Sequence, residues 1–542
     1  MATAISQNRQ QGGNVAAQNK SAGGADVTEN KWLVSLAVIF GVLMSAIDTS
    51  VVNVALPSIQ GNVGATQQEV TWISTGYLIS VVILMPLTHW LSVRFGRKRL
   101  YLTSLVLFVS SSVMCGLSHS LGGLVFWRII QGMGAGTLQP LAQAIFREAF
   151  PPREQGMAMG LFGFVVLFGP AIGPTLGGYI TDNYNWPWIF FINVPIGIIG
   201  FLVAVRFLHD PNYEKGQARP PIDFPGIAFL SVGLAALQTV LEQGQEDDWF
   251  SSPFICWLSV IAAVSMAGFI WRELTFKTPA VDLRVLKNAT FASGTIIGGI
   301  LGIGLFASLF LLPQFMQTLL GFTATQSGLS LMPRSLTMMV MMPVAGALYN
   351  RLGPKIMIGT GLSLTGFTQW QMSRFTLDTG AADILTPQIL QGVGFALVFV
   401  SLSTVALANI PRNMMTSATG LYNLIRQLGG SFGTAYVVVV LTRHIDQART
   451  DLVGYANAAN PAFAQRVAGM AGAFQSAGYG PVDARKAALY AMQGLFERQA
   501  GMLAYDYIFY AIGLLFVVCL LLIPFLRAPK NHAPAERAPV GE

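Results

Sequence analysis

Ala46-Ile47-Asp48-Thr49-Ser50-Val51-Val52-Asn53-Val54-Ala55-Leu56-Pro57 places one carboxylate inside an apolar run that begins at Trp32. Sixteen steps separate Trp32 from Asp48. At the helical rise that is about 24 Å, most of the way across a hydrocarbon core of ~30 Å. An ionised Asp at such depth costs ~3 kcal/mol on insertion scales. It is therefore either a structural carboxylate satisfied by a neighbouring helix or one that takes up and releases a proton, and intramembrane acids are functional-site candidates by default. Asp48 is the single acid read inside a span.

Around this stretch, 53% of the 542 residues are hydrophobic and only 11% are charged, and mean hydropathy is +0.55. A soluble domain of this length does not have such a balance. Repeated apolar runs of about 20 residues, divided by short polar or Gly/Pro segments, predict an all-α polytopic membrane protein. The net charge of +7 comes from basic residues collected in alternate loops, which is a topology signal and argues against nucleic-acid binding. Cys115, Cys256 and Cys519 each lie in an apolar segment and read as core hydrophobes, not as a disulfide framework or metal cluster. Residues 1–30 are rich in Gln, Asn, Ala and Gly without a signal-peptide core, which predicts a disordered tail; a second tail is expected at 528–542.

About fourteen segments are long enough to span, centred near Ile39, Val81, Leu107, Thr137, Leu167, Gly197, Val232, Ile261, Gly304, Met339, Ser363, Leu397, Gly430 and Leu515. Arg94, Arg97, Lys98 and Arg99 follow the second, Arg147 and Arg153 the fourth, Arg206, Lys215 and Arg219 the sixth, Arg272 and Lys277 the eighth, Arg351 and Lys355 the tenth. All of these loops fall on one side, so the positive-inside rule predicts both termini in the cytoplasm. The loop after the seventh span, in which Glu242, Glu246, Asp247 and Asp248 are placed, has no Lys or Arg.

The chain repeats itself. Gln131-Gly132-Met133-Gly134 returns as Gln391-Gly392-Val393-Gly394, and Gly160, Gly169 and Gly173 return as Gly420, Gly429 and Gly433, all at 391 − 131 = 260. Arg94-Phe95-Gly96-Arg97-Lys98 matches Arg351-Leu352-Gly353-Pro354-Lys355 at 353 − 96 = 257. Two six-helix halves are therefore expected at 31–210 and 290–527, with two inserted helices in the linker 211–289. An insertion at about 443–502 carries Phe463, Val467, Met470, Phe474, Ala488, Met492 and Phe496 at helical spacing, which predicts an amphipathic helical hairpin over the outer face, either as a packing lid or as a docking surface.

Gly169, Gly173 and Gly177 stand four apart with Pro170 and Pro174 interleaved. The glycines let another backbone approach closely, and the prolines remove ladder donors so that the helix can bend. This stripe, with Asp48-Thr49 through Pro57 and Arg128-Ile129-Ile130-Gln131-Gly132-Met133-Gly134, resembles the fourteen-helix drug:proton antiporters of the major facilitator superfamily, EmrB/QacA type, from about Trp32 to Leu526. The glycine-proline stripe resembles the antiporter signature seen in exporters. The sequence departs from the family at the loop after the second span, where His89 and Val93 replace the usual Gly and Asp. Arg94, Gly96 and Arg97 are accordingly read as positioning and turn residues, and a gate latch is expected in the second copy, at Gly346, Arg351 and Gly353.

The resemblance implies a multidrug exporter of the cell inner membrane that trades hydrophobic or amphipathic compounds for protons, with Asp48 as the proton-linked carboxylate and Arg128 as its partner. It implies a central cavity to which Met44, Asn53, Gln139, Phe306, Phe310, Gln314, Gln391, Phe395, Phe399 and Arg426 contribute. Met338, Met339, Met341 and Met342 add adaptable surface. Implied partners are small-molecule drugs, protons, lipid, an EmrA-like periplasmic adaptor and an outer-membrane channel. Export of one metabolite or siderophore and nutrient symport are the alternatives on the same fold. Enzyme chemistry is not expected: Gly429-Gly430-Ser431-Phe432-Gly433 matches a hydrolase elbow only formally, inside an apolar span and without a strand before it. Neither a metal nor another cofactor is expected.

Overall fold

The computed structural model of the chain describes residues 31–210, 221–276, 278–454, 456 and 460–526. The expected tails at 1–30 and 528–542, and Lys215, Arg219 and Lys277, lie outside the described residues. The first half is built from α1 (Lys31–Val63), α2 (Gln67–Phe95), α3 (Arg97–Gly116), α4 (Leu121–Ala149), α5 (Gln155–Asn183) and α6 (Trp188–Phe207). The insertion supplies α7 (Phe224–Gln243) and α8 (Pro253–Thr275). The second half holds α9 (Ala289–Thr318), α10 (Ala324–Leu352), α11 (Pro354–Met372), α12 (Ala381–Ala406) and α13 (Met415–Val453), then the shorter α14 (Pro461–Ser476) and finally α15 (Pro481–Cys519). Eleven of these helices are long and apolar enough to cross a membrane. The other three long helices, α4, α5 and α11, are packed among them in the same bundle.

The repeat governs the packing. In the first half α1 pairs with α5, α2 with α4, and α3 with α4 and α6; the second half repeats this as α9 with α13, α10 with α12, and α11 with α12 and α15. Even the helix starts agree: Thr66 and Glu69 form a capping box on α2, and Thr323 and Gln326 form one on α10, at 323 − 66 = 257. Each box satisfies two backbone N–H groups that a helix start leaves open. Gly96 (φ 90°) and Gly353 (φ 76°) make the α2–α3 and α10–α11 turns in a conformation that only glycine adopts without strain.

The glycine stripe of α5 does its work against α1. A Cβ at Gly169 would meet the Ala46 carbonyl at 2.3 Å, and one at Gly173 would meet the Ser50 side chain at 2.3 Å. The second copy repeats the fit, with Gly429 against the Gly299 carbonyl and Gly433 against the Ile303 carbonyl. Backbone-close packing of this kind stands in for the hydrophobic driving force that lipid does not provide. Pro170 and Pro174 fall within α5, but their side chains lie outside the described set.

The two halves meet at the end that carries Arg97, Arg153 and Arg351. There α5 packs on α10, with a Cβ at Gly346 only 2.6 Å from the Gly156 carbonyl, and α2 packs on α13, with a Cβ at Gly420 2.6 Å from the Met85 carbonyl. Polar contacts cross the same seam: Asn350 Nδ2 donates to the Arg153 carbonyl at 2.6 Å and Asn423 Nδ2 to Gln143 Oε1 at 2.6 Å. Arg97, buried, pairs with Glu148 at 2.8 Å and reaches Thr416 Oγ1 of the other half at 3.4 Å. The first-copy loop is thus tied across the seam without an acid at Val93, because Glu148 on α4 supplies the charge. In the second copy Arg351 is exposed. Lys98 N–H donates to Asp210 Oδ1 at 2.7 Å, so a carboxylate from beyond α6 caps the start of α3.

The hairpin is more than a cover. Both α13 and α15 run for 39 residues, about 58 Å at the helical rise, against a hydrocarbon core of ~30 Å. Their surplus turns project from the end opposite the latch, where α14 packs on α15 through Val467, Ala488 and Met492 with Phe463, Phe474 and Phe496 around them. Instead of lying flat, the insertion continues two membrane helices upward.

Replacing Gly346 with Val puts branched carbon where 2.6 Å is available, so G346V is expected to part the halves at the latch end. A cysteine pair at Arg153 and Asn350 should crosslink readily in the parent chain and poorly in G346V. Undiminished crosslinking would show that this approach does not hold the end shut.

Candidate functional site

Asp48 is fully buried, and Arg128 is 1% exposed. Arg128 Nη1 donates to Asp48 Oδ2 at 2.6 Å, while Gln131 Nε2 and Asn193 Nδ2 each donate to Asp48 Oδ1 at 2.9 Å. The carboxylate from α1 therefore takes donors from α4 and α6. The guanidinium has further partners: Nε donates to the Ile73 carbonyl at 3.2 Å, Nη1 also donates to Gln131 Oε1 at 2.8 Å, and the Tyr77 ring lies 4.1 Å from Cζ. Asn193 is itself held by Ser112 Oγ at 3.1 Å. An ion pair taken out of water survives only when its remaining lone pairs and protons are met in this way.

Gln131 belongs to a motif quoted above for the repeat and the resemblance, but nothing in its spacing, or in that of Asn193, shows that the two meet at Asp48. Their placement follows from the close approaches that bring α1, α4 and α6 together. Tyr77 carries no motif signal at all. The pair as a whole lies behind the wall of a cavity of about 580 Å³ that runs between the halves. Tyr77, about two turns in from Val70, the first buried residue of α2, both lines that cavity and covers Arg128.

Of the expected cavity residues, Asn53, Gln139, Phe306, Phe310 and Arg426 line it. The others are elsewhere. Met44 is buried toward Gly197, Phe395 packs edge-on to Phe516 with ring centroids 6.0 Å apart, and Gln391 accepts from Arg334 Nη1 at 3.3 Å. Phe399 stands behind Arg426, whose Cζ is 5.3 Å from the ring, and Gln314 is half-buried with Oε1 unpartnered. Met342 fills space against Gly163 instead of facing the cavity.

The wall contains acids that the sequence reading leaves in a loop or outside the spans. Glu242 lies within the last turn of α7 and, with Gln245 and Glu246 just beyond it, lines the cavity. Asp48 is thus not the only acid in a spanning helix; Asp506 in α15 is another. Glu246 lies past the helix end, where partial burial beside Asp247 raises its carboxyl above the ordinary value. Among the described residues no group of His, Cys, Asp or Glu has the spacing to hold a metal ion.

Removing one partner of a buried pair strands the other charge, which costs about 3–5 kcal/mol. Asp48→Asn is therefore expected to lower the stability of the purified protein by that order, and the double variant Asp48→Asn with Arg128→Gln to regain much of it. Equal denaturation midpoints for the single and double variants would reject electrostatic coupling between them.

Comparison with known proteins agrees with this architecture. The model of the Major Facilitator Superfamily matches residues 38–434. The chain is 34% identical over 430 residues to the multidrug export protein EmrB of Haemophilus influenzae, covering 79% of this chain and 84% of the relative. It is 35% identical over 432 residues to EmrB of Escherichia coli strain K12, with the same coverage, and 35% identical over 410 residues to the fatty acid resistance protein FarB of Neisseria gonorrhoeae, covering 76% and 80%. Among solved structures, the human organic anion transporter MFSD10 superimposes with a TM-score of 0.60 at 15% identity, covering 91% of this chain and 99% of that one. The proton:xylose symporter XylE gives 0.59 at 14%, covering 92% and 97%; likenesses this distant speak for the fold alone. With the repeat, the paired halves and these relatives in agreement, the chain belongs to the major facilitator superfamily.

Proposed function

We propose that this protein is a multidrug efflux transporter that exports hydrophobic and amphipathic compounds across the inner membrane in exchange for protons, with both termini cytoplasmic. The observation that carries the reading is the buried Asp48–Arg128 pair set directly behind the Tyr77 wall of an apolar cavity. The likeness to the multidrug export protein EmrB and the fatty acid resistance protein FarB supports it. The side that carries the latch and the basic loops is the cytoplasmic one by the positive-inside rule, so the cavity reaches outward in this state.

Protonation of Asp48 removes the charge that Arg128 neutralises. Arg128 then keeps Gln131 Oε1, the Ile73 carbonyl and the Tyr77 face, which offset part, though not all, of the lost ion pair when the carboxyl is neutral. These fallback partners make the exchange of a proton affordable in a dry site. A compound in the cavity presses on Tyr77, and Tyr77 touches Arg128; occupancy and protonation thereby act on one group from opposite sides. Phe306 and Phe310 offer aromatic surface, and Asn53 and Gln139 offer amides, as a site for large amphipathic compounds requires.

Proteoliposomes with an imposed pH gradient test the assignment. Wild type should drive export of a fluorescent lipophile, whereas Asp48→Asn should lose gradient-driven export and still bind the compound. Normal export by Asp48→Asn would make Asp48 structural and place coupling elsewhere.

An EmrA-like periplasmic adaptor leading to an outer-membrane channel is the partner that the projecting hairpin would serve. Its exposed Tyr490 (75%), Val482 (67%) and Tyr479 (52%) support this, since one small tip leaves large apolar side chains in solvent. Photo-crosslinkers at Val482 and Tyr490 should capture a co-expressed adaptor in intact cells. A persistent lack of crosslinks at both positions would remove the adaptor from the scheme.

A further inference from the structure

The inserted pair of helices belongs to neither half of the repeat, and its two members are placed differently. Helix α8 is peripheral, with much less of its apolar surface buried than α7 has. Helix α7 is wedged between the halves. Gln243 Nε2 donates to Thr71 Oγ1 at 3.0 Å and Thr75 Oγ1 at 3.3 Å on α2, and Gln238 Nε2 donates to Ser431 Oγ at 2.8 Å on α13. The insertion thus closes a gap in the cavity wall and turns its own last turn toward the interior.

That turn presents Glu242 to the cavity. Gln238 Nε2 also donates to Glu242 Oε1 at 2.8 Å, and the Ser431 hydroxyl hydrogen-bonds the same carboxylate, so two neutral donors hold it in place. Among the described residues no Lys or Arg forms an ion pair with Glu242. The one basic group in the lining, Arg426, is occupied by Asn423 Oδ1 at 3.0 Å and the Phe399 ring. Asp48, locked by three donors, does not face the cavity. Glu242 and Glu246 both line the cavity against Arg426, so an acid held there without a direct ion-pair partner and beside aromatic walls is complementary to a cation that brings its own apolar body.

We propose that Glu242, supplied by the inserted helix α7, is the specificity-determining residue for cationic substrates, seating the positive group of a lipophilic cation whose aromatic body lies against Phe306 and Phe310. The inference rests on the drug-export reading above and adds a substrate class and a residue to it. It also gives the insertion a role: α7 carries charge recognition, while the first half carries the proton site.

Tetraphenylphosphonium and tetraphenylborate have nearly one shape and opposite charge, so their ratio of dissociation constants isolates charge recognition from fit. Titration of the full-length protein should show that E242Q weakens the phosphonium by about tenfold relative to the borate, and that E242D, which keeps the charge, retains most of the wild-type preference. An unchanged ratio in E242Q overturns the proposal, as does weakening of both probes by one factor, which would mark Glu242 as a packing residue. Wild type that binds neither probe overturns the proposal together with the drug-site reading. Wild type that binds phosphonium in a Glu242-dependent way but moves no compound under a pH gradient removes the export reading alone and leaves the cation seat standing.

Discussion

A carboxylate and a guanidinium that both leave water cannot be placed independently; each is tolerable only where the other, and enough hydrogen-bond donors and acceptors, already stand. Asp48 and Arg128 impose that condition on four helices. Helix α1 brings the acid, α4 the base and Gln131, α6 Asn193, and α2 the Ile73 carbonyl and the Tyr77 ring. The glycines of α5 serve the same end from behind, since Gly169 and Gly173 let α1 sit backbone-close two residues on either side of Asp48. The first half is in effect assembled around one charge pair.

The second half has the same frame without the same chemistry. At the offset of 260, Arg128 corresponds to Gln388 and Gln131 to Gln391, and at 257 Tyr77 corresponds to Arg334. Arg334 is buried, with Gln391 as its hydrogen-bond acceptor, and Gln388 has neither amide atom partnered. Duplication preserved the close helix approaches, while the buried Asp–Arg pair stands in one copy. On the proposed function, that asymmetry gives the proton to one half and the cargo to the interface between halves.

Much of this was legible in the residues. The spans, the repeat, the inserted pair and the depth of Asp48 follow from hydropathy, register and the cost of charge in lipid, while Arg128 as its partner came from the family resemblance. What resisted reading was rotation. Helix α12 is apolar on every side, and 78% of its most apolar window is buried, so composition could not separate the faces of Phe395 and Phe399 that pack inward from a face lining the cavity. The end of α7 was hidden for a different reason: Glu242 begins an acidic run that looks like a loop, and helix ends shift by a residue or two on local signals. One extra turn moved that acid from the loop into the cavity wall. Tyr77 left no trace because an aromatic residue in an apolar span looks the same whether it touches lipid or a guanidinium.

The 39-residue length of α13 has a mechanical meaning. One stretch of it, from Arg426 to Val438, forms cavity wall, and the same unbroken rod ends beside α15, where Arg449 approaches Glu497 at 3.8 Å. A stiff rod is a lever. Tilting it by about ten degrees about its Met415 end would sweep its Val453 end through about 10 Å for a length of about 58 Å, so a small adjustment around a cargo molecule would grow toward the hairpin. The hairpin is in that sense an indicator needle geared to the cavity.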